Sequence, residues 1–529
     1  MRVIVQAEPD ALPNLRLRHR GSLRRELPGA LVLEVSRAEL DTLSRNPDIA
    51  HLSGDLPVHA DMAITNKVTG AERVWQGTSG LLGLFGTSGY NGTGIGVAVL
   101  DSGIASHSAI GDRVIARVNF VSAEPYATGD GFGHGTHIAG TIGGNTTSAS
   151  RVTTAYAGGS APAVRLIDVR VLGRDGRGLT SDVIAGIDWT IANRTRYGIR
   201  VLNLSLGHAV TEPAATDPLC RAVARAVNAG IVVVVSAGNN GYTAQGQPVM
   251  GGITSPGNSP FAITVGAIDT QGTTDRSDDR VAPYSSRGPT RFDFTVKPDV
   301  VAPGTRVVSL EAYGSLLAST YPTWHVAGTG KNAYFRLTGT SMAAAVVSGG
   351  VALLLDAEPS LTPAQVKLAL QMGARFVPNA GLVGGGAGSA DFEASLRLAR
   401  NGLIPTLTST LTSLLGLSSG AAYRDGGTLI NRIYDRSGIR LLGILDLGIL
   451  WDTADSSEFG VLNLLGLANP LAGTPANYLV WGERAGWTSS YYIVWGTAMT
   501  SPEGEYIVWG TAGRDEYIVW GTVNDDPGP

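Results

Sequence analysis

The sequence holds one cysteine, nearly balanced charge and no long apolar run. The lone cysteine, Cys220, excludes a disulfide framework within the chain. The apolar runs, of which residues 441–451 are typical, fall short of the roughly 20 residues that a membrane-spanning helix needs, so we expect no membrane span. The net charge is only −4, and the chain as a whole therefore gives no reason to expect a nucleic-acid partner.

Basic residues concentrate in one place, RLRHRGSLRR at residues 16–25. A nucleic-acid-binding arm is one interpretation of this stretch, and a solvated loop or strand face is the interpretation that we favour. The N-terminal stretch lacks the charged, apolar and small-residue layout of a secretory signal, because MRVIVQAEPD contains carboxylates at its end.

The length of 529 residues predicts two or three folded units. Residues 1–63 are predicted to form a small unit in which RVIVQ and GALVLEV are strands and SRAELDTLSRNP is a helix, with Ser36 as its N-cap. Residues 64–400 form the second predicted domain. An irregular connecting region is predicted at 401–470, and a repeat tail at 471–529.

Short apolar strands alternate with helical segments over residues 64–400. Five segments are continuously apolar and rich in β-branched residues, which is typical of strands buried on both faces of a parallel sheet: 95–100, 164–172, 199–206, 231–235 and 262–268. Residues 180–193 favour an amphipathic helix. The pattern predicts an α/β fold with a doubly wound, mainly parallel sheet flanked by helices, beside a small α+β N-terminal unit and a β-rich repeat tail.

The tail repeats YLVWG once and YIVWG three times, with tryptophans 14, 14 and 11 residues apart. Each copy favours a short strand that stops at glycine, and the spacing favours a meander or a set of hairpins. We expect the strands to pair with one another or to cover the second domain. A role in surface attachment, export or carbohydrate binding is the alternative, because rows of tyrosine and tryptophan can also stack on ligands.

Four polar residues stand where chemistry is expected in a parallel sheet. Asp101 ends the strand GVAVL, and Asn239 lies in SAGNNG after another strand, so both belong to the carboxyl edge. His134 opens a short helix in GHGTHIAG, and Ser341 opens an apolar helix in GTSMAAA. Alone, each residue is more often structural. Together, in the order Asp, His, Ser, they predict a hydrolytic triad, because a serine nucleophile needs an imidazole base and a carboxylate that orients it.

The motifs around these residues resemble those of the subtilisin-like serine peptidases, the subtilase family: VAVLDSGI, GHGTHIAG, NLSLG, VVSAGNNG, SSRGPT, KPDVVAPGT and GTSMA. They cover most of residues 90–350, and DFEASLRLA resembles the closing helix of that domain. The resemblance implies a serine endopeptidase that works through an acyl-enzyme. It assigns Asp101 to orient the imidazole, His134 as general base and acid, Ser341 as nucleophile and Asn239 as oxyanion donor. His137 matches a position without a catalytic role.

The resemblance also implies how protein or peptide substrates bind. The backbone around Gly178 and the run Ser205, Leu206 and Gly207 would flank an extended substrate like neighbouring strands. Ala237 and Gly238 would wall the first specificity pocket, with Thr254 near its base.

More weakly, residues 1–63 resemble the inhibitory propeptide of such enzymes. The resemblance implies that the enzyme cuts itself between Leu56 and Gly77 and that the N-terminal segment acts as an intramolecular inhibitor. An autoinhibited peptidase of this kind is expected to be secreted or displayed at the cell surface, although no signal segment is visible. We expect a monomer.

The departures from the family pattern are few. The segment NTTSASRVTTAYAGG is not a carboxylate-rich calcium loop, so no metal ligand or cofactor is assigned, and calcium binding is left open. Ala345 stands where the family usually has proline. We expect this change to be tolerated, on the view that position 345 lies in a first helical turn. The rival interpretation of the whole chain is a catalytically inactive subtilisin-like scaffold that acts as a binding or surface module.

Overall fold

The structure is a computed structural model that describes residues 2–7, 10–27, 30–54, 61–77, 89–146, 149–242, 249–375, 377 and 380–400, and six short strands beyond residue 400. The chain divides into two compact units, Met1–His59 and Ala60–Pro529. The connecting region predicted at 401–470 lies outside the described residues, except for the short strands β16 (Arg440–Leu441) and β17 (Leu445–Asp446).

The first unit is a four-stranded antiparallel sheet with two helices. Its elements are β1 (Arg2–Ala7), α1 (Leu12–Arg18), β2 (Leu23–Leu27), β3 (Ala30–Glu34), α2 (Arg37–Ser44) and β4 (Ile49–Gly54). The strand order is β2-β3-β1-β4. Ser36 caps α2 as the sequence predicts, and Glu39 completes a capping box. Leu15 of α1 and Leu43 of α2 join the strands in a single small core.

The basic stretch 16–25 contains parts of α1 and β2, two elements that the sequence analysis missed. Its side chains are solvated and paired with carboxylates: Arg16 with Glu26 at 2.9 Å and Arg24 with Glu34 at 2.6 Å. Residues 16–18 lie on a helix rather than on the loop or strand that we expected, and the exposed ion pairs are typical of a solvated surface.

The second unit contains a large central sheet, a small antiparallel sheet and ten helices among its described residues. Its elements up to residue 400 are α3 (Asp61–Val68), α4 (Ala71–Gln76), β5 (Gly96–Asp101), β6 (Val114–Asn119), α5 (His134–Gly143), β7 (Arg165–Arg170), α6 (Thr180–Tyr197), β8 (Ile199–Leu204), α7 (Pro218–Asn228), β9 (Val232–Ser236), β10 (Ile263–Asp269), β11 (Arg280–Val281), β12 (Val300–Pro303), β13 (Val307–Leu310), α8 (Leu316–Thr320), β14 (His325–Ala327), β15 (Tyr334–Leu337), α9 (Thr340–Ala357), α10 (Pro363–Gly373), α11 (Gly381–Gly385) and α12 (Phe392–Arg400).

The central sheet is mainly parallel, as predicted. Six strands run parallel in the order β6-β7-β5-β8-β9-β10. Strand β12 also pairs parallel with β10, and the two-residue β11 pairs antiparallel with it. Strands β7 and β6 lie on one side of β5, and β8 lies on its other side. The switch in strand order therefore lies at β5 and β8, whose carboxyl ends form the expected position for a ligand crevice.

Helices cover both faces of this sheet. Val99 of β5 belongs to a core shared with Ile138 of α5 and with most of α9. The next residue, Leu100, belongs to a second core with Ile187 of α6 and Val223 of α7. Successive residues of a strand point to opposite faces, so a continuously apolar strand is buried on both sides. The doubly wound arrangement that the sequence predicts is confirmed.

Helix α9 is almost wholly buried beside the central sheet. By length and composition it could cross a membrane, but 83% of it is buried inside the unit, which identifies it as a core helix. It begins at Thr340, so Ala345 is its sixth residue and lies in the second turn. The expectation of a first-turn position was therefore wrong. In the second turn an alanine keeps the amide that can bond to the carbonyl of Ser341, four residues earlier.

The tail repeats form strands, but not the meander or hairpins that their spacing suggested. Strands β18 (Tyr478–Trp481), β19 (Tyr492–Trp495), β20 (Tyr506–Trp509) and β21 (Tyr517–Trp520) pair parallel and in register, tyrosine opposite tyrosine and tryptophan opposite tryptophan. A four-residue strand spans only about 13 Å. The stretches of chain between the strands are long enough to return across that distance, and this permits parallel pairing.

Candidate active site

The carboxylate and the imidazole of the predicted triad are joined at the carboxyl edge of the sheet. Asp101 is the last residue of β5, and His134 is the first residue of α5. Nδ1 of His134 lies 2.9 Å from both carboxylate oxygens of Asp101. An Nδ1–H that donates to this carboxylate fixes the ring tautomer, so Nε2 is left as the basic nitrogen.

A glycine permits the close approach of these two elements. A Cβ built on Gly135 would lie 2.2 Å from the carbonyl oxygen of Gly103 and 3.1 Å from Cβ of Asp101. Any side chain at position 135 would therefore push α5 away from the end of β5. The motif GHGTH thus needs its second glycine for packing at the site.

The electrostatic surroundings of His134 favour its protonated form. Burial lowers the pKa of the imidazole, but the charge of Asp101, its hydrogen bond and the charge of Asp130 together raise the pKa by more. The net result is a pKa above the ordinary value of histidine. A base with a raised pKa is a stronger proton acceptor, provided that the solution is alkaline enough to leave it unprotonated.

Asp130 secures the start of α5, and the sequence analysis missed it. One carboxylate oxygen accepts hydrogen bonds from the amide of Gly133 at 2.7 Å and from Oγ of Ser102 at 2.8 Å. The other accepts from the amide and the hydroxyl of Thr136 at 2.8 and 2.7 Å. Burial raises the pKa of Asp130, and these hydrogen bonds lower it by less. The only available signal was an aspartate four residues before the histidine, within GDGFGH.

Ser341 is the second residue of α9, and it is half-buried at the start of an otherwise buried helix. Its hydroxyl donates to the backbone oxygen of Ser205 at 3.3 Å. In return, Oγ of Ser205 donates to the backbone oxygen of Ser341 at 3.0 Å. Ser205 also lines a cleft together with His134.

Asn239 lies beside the start of α9, as the resemblance implies. Its side-chain oxygen accepts hydrogen bonds from the amide and the hydroxyl of Thr340 at 3.0 and 3.1 Å. This contact fixes which end of the amide group faces the helix. The residue is exposed, and among the described residues its Nδ2 has no partner. The nitrogen is therefore free to donate to a bound group.

The cleft at this edge has a volume of about 490 Å³. Four of the predicted substrate-binding residues line it: Gly178, Ser205, Leu206 and Gly207. The other lining residues are mostly apolar: Phe132, Leu172, Gly176, Arg177, Leu179, Thr180, Val183, His208 and Leu219. The two predicted backbone walls thus meet the same open cleft as His134.

Ala237 and Gly238 lie next to the cleft residues, around the side chain of Thr254. The backbone oxygen of Ala237 accepts from the amide of Thr254 at 3.1 Å. A Cβ on Gly238 would lie 2.9 Å from Cγ2 of Thr254, and Gly238 has a φ of +103°, which favours glycine. A Cβ on Gly207 would lie 2.8 Å from Oγ1 of Thr254. Gly207, Ala237 and Gly238 therefore all lie close to Thr254.

The other buried histidines of this domain are held neutral. His137 is fully buried, and Nε2 bonds to the backbone oxygen of Val307 at 3.1 Å. Burial, followed by the charge of His134, lowers its pKa to about 3.

Among the residues described here, no group of three or more His, Cys, Asp or Glu side chains is arranged to hold a metal ion.

The chain is similar to several known proteins. Residues 92–400 match the Subtilase family. The serine protease AprX of Bacillus subtilis (strain 168) is 39% identical over 289 residues, which are 53% of this chain and 61% of that protein. Subtilisin DY of Bacillus licheniformis is 36% identical over 301 residues, which are 56% of this chain and 90% of that protein. The solved structure of sphericase is 27% identical, covers 61% of this chain and 97% of its own, and gives a TM-score of 0.47.

The matched family and its relatives define this chain as a serine endopeptidase by class. The chain belongs to the subtilase family. It covers less than two thirds of AprX.

Proposed function

We propose that this chain hydrolyses peptide bonds through Asp101, His134 and Ser341. Oγ of Ser341 attacks the carbonyl carbon of the substrate, and its proton passes to Nε2 of His134. Asp101 stabilises the resulting imidazolium, which then donates its proton to the leaving amine. Water then attacks the acyl carbon while His134 takes its proton. His134 returns that proton to Oγ of Ser341 as the serine leaves. The observation that carries the proposal is the buried carboxylate of Asp101 against Nδ1 of His134.

The oxyanion of the tetrahedral intermediate would be bound by two donors. One is Nδ2 of Asn239, whose orientation is fixed by the contacts of its oxygen with Thr340. The other is the amide of Ser341, one of the free N–H groups at the start of α9. Fixed donors of this kind stabilise the transition state without reorganising during the reaction.

The substrate would bind as an extended chain between the two backbone walls of the cleft. Gly178 belongs to one wall, and the run from Ser205 to Gly207 forms the other. Extended backbones on both sides can pair with the substrate main chain, which gives affinity with little dependence on sequence. The side chain before the scissile bond would enter the space beside Ala237, Gly238 and Thr254. Substrates are therefore proteins or peptides.

We propose further that the chain processes its own N-terminal segment, with the first unit, Met1–His59, as its inhibitor. Contacts within the second unit support a narrower range for the cut than residues 56–77. Ile64, Thr65 and Asn66 of α3 are buried, and Nδ2 of Asn66 donates to the backbone oxygen of Gly158 at 3.0 Å. Trp75 of α4 donates to the backbone oxygen of Ser160 at 2.8 Å. Cleavage within these helices would break a packed part of the peptidase unit, so we place the cut at residues 56–60.

The intact mass of the purified protein tests self-processing. We expect wild type to lose its first 56 to 60 residues and Ser341→Ala to keep them, because only the wild type carries the nucleophile. Equal masses at full length would contradict self-processing. The same two proteins, incubated with a casein substrate, test peptide hydrolysis. Wild type without activity would instead favour the inactive scaffold.

Two further proposals follow from the processing scheme. The first is export to the cell surface or beyond, since an inhibitor that remains bound until release protects the producing cell. The second is a monomeric enzyme, because Asp101, His134, Ser341 and Asn239 all come from one chain. Size-exclusion chromatography with light scattering tests the second proposal.

A further inference from the structure

A buried polar network joins strand β8 to the helix that carries Ser341. Asn203 of β8 is fully buried between the sheet and α9. Its Nδ2 donates to Oγ of Ser205 at 3.0 Å, and that hydroxyl donates to the backbone oxygen of Ser341 at 3.0 Å. On its other side, Oδ1 of Asn203 accepts a hydrogen bond from Oγ of Ser348 at 2.9 Å. One amide group therefore holds α9 at two points.

The two points of attachment are seven residues apart, at Ser341 and Ser348. Seven residues are about two turns, or roughly 10 Å along the helix axis. Two contacts on one face of a helix, separated along its axis, fix both its rotation and its translation against the strand. One contact alone would fix only one point of the helix.

The surrounding core packs tightly on α9, and the polar network adds directional contacts to that packing. The side chains of α9 near the network are small and apolar, including Ala344, Ala345 and Val347. Apolar contacts are non-directional. Hydrogen bonds are directional, and buried ones become costly when they are broken.

We propose that Asn203 and Ser348 are positioning residues that aim the Ser341 hydroxyl and amide at the reacting carbonyl. The inference rests on the proposed nucleophile, Ser341. A rotation of about 15° at a side-chain radius of roughly 4 Å displaces a hydroxyl by about 1 Å. Misplacement of a reacting group by that distance can cost about a hundredfold in rate. Neither residue touches the substrate, and both act through the start of α9.

The test compares three variants with wild type. Asn203→Leu keeps the branching of the side chain and removes the polar group, and Ser348→Ala removes one hydroxyl. The matched control is Ser395→Ala. Ser395 lies in α12, a helix that contributes no site residue. It is also fully buried, and its hydroxyl donates to the backbone oxygen of Asp391 at 2.8 Å. Active-site titration with a fluorophosphonate counts reactive serines, and kcat, KM and Tm are then measured on titrated enzyme.

We expect Ser348→Ala and Asn203→Leu to lower kcat per titrated site about ten- to a hundredfold, with KM within about twofold of wild type. Ser395→Ala should leave kcat unchanged even though it lowers Tm. If Ser348→Ala and the control both lower Tm and neither changes kcat, the network serves stability alone and the proposal is overturned. Ser348→Ala decides the matter where Asn203→Leu does not fold. A wild type that does not react with the fluorophosphonate overturns the proposed nucleophile as well.

Discussion

Both carboxylate oxygens of Asp101 lie 2.9 Å from Nδ1 of His134, and only 1% of the Asp101 side chain is exposed. A carboxylate so shielded from water interacts strongly with a charge that appears beside it. The pair is therefore arranged to stabilise an imidazolium. This is the charge change that occurs when a serine hydroxyl gives its proton to the ring.

The raised pKa of His134 predicts the acid limb of the pH–rate profile. Activity needs the neutral imidazole, so kcat/KM should rise with pH through the pKa of His134. Because that pKa is raised by Asp101 and Asp130 against the effect of burial, the midpoint should lie above 6.5. A profile that is flat from pH 6 to pH 9 would contradict this assignment of the base.

Replacing Asp101 by asparagine should remove the charge that orients His134 while keeping the shape of the side chain. We expect kcat to fall by about 10⁴, because the ring then takes the wrong tautomer. The control is Asp188→Asn, which breaks only an exposed ion pair with Arg225 on the outer helices. Steady-state kinetics on a chromogenic peptide give the answer, and a loss below tenfold in Asp101→Asn would disagree with the proposed role.

Asp130→Asn should weaken the cap that holds the start of α5. An asparagine keeps one acceptor oxygen, but its NH₂ group replaces the oxygen that accepts from Thr136. That group cannot accept from the amide of Thr136. We expect kcat to fall about tenfold, and the acid limb should shift to lower pH because one charge that raises the pKa of His134 is gone. Asp391→Asn is the control, since Asp391 is a buried aspartate that caps α12. An acid limb that does not shift would show that Asp130 does not raise the pKa of His134.

Asn239→Leu should act on the transition state alone. Removal of one oxyanion donor costs about 10² to 10³ in kcat in a comparable site, with little change in KM. The neighbouring variant Asn240→Ala is the control, because Asn240 is also exposed and its Nδ2 donates to the backbone oxygen of Gly252 at 3.4 Å. A raised KM with an unchanged kcat would point to ground-state binding instead.

Acid should destabilise the second unit partly through His107. This side chain is only 4% exposed; Nε2 bonds to the backbone oxygen of Ala333 at 2.9 Å, and Nδ1 accepts from the amide of Ala109 at 3.1 Å. Burial lowers its pKa to about 4, against a smaller rise from the bond to Ala333. The unfolded chain binds this proton more readily, so about 3 kcal/mol should be lost as pH falls from 6.5 to 4.

Denaturant unfolding at several pH values checks this loss. The variant His107→Asn keeps a polar side chain that does not titrate, and its stability should fall less steeply between pH 6.5 and pH 4. Identical slopes for the variant and wild type would show that other groups dominate the acid response.

The sequence predicted the parallel sheet because continuously apolar strands such as β5 and β9 are buried on both faces. It also predicted the positions of Asp101, His134, Asn239 and Ser341 from strand ends and helix starts. It missed the contacts that hold these residues. Asn203 and Ser348 are far apart in the chain, and each on its own is an unremarkable polar residue. Their pairing depends on how α9 packs on β8, which no local pattern encodes.

The tail shows a different limit. Its repeats predicted strands correctly, since tyrosine, isoleucine, valine and tryptophan all favour them. Spacing alone did not distinguish antiparallel from parallel pairing, because stretches of 7 to 10 residues between strands suit either. The in-register parallel stack of Tyr478, Tyr492, Tyr506 and Tyr517 follows from the identity of the repeats, which puts equal residues side by side.

The central claim is that Ser341 is an activated nucleophile, and covalent labelling tests it most directly. Wild type, Ser341→Ala and Asp101→Asn are treated with a fluorophosphonate at pH 8, and the modified peptide is located by mass spectrometry. We expect one adduct on Ser341 in wild type, none in Ser341→Ala and far slower labelling in Asp101→Asn. A wild type that carries no adduct on Ser341, or carries it at the same rate as Asp101→Asn, would contradict the central claim.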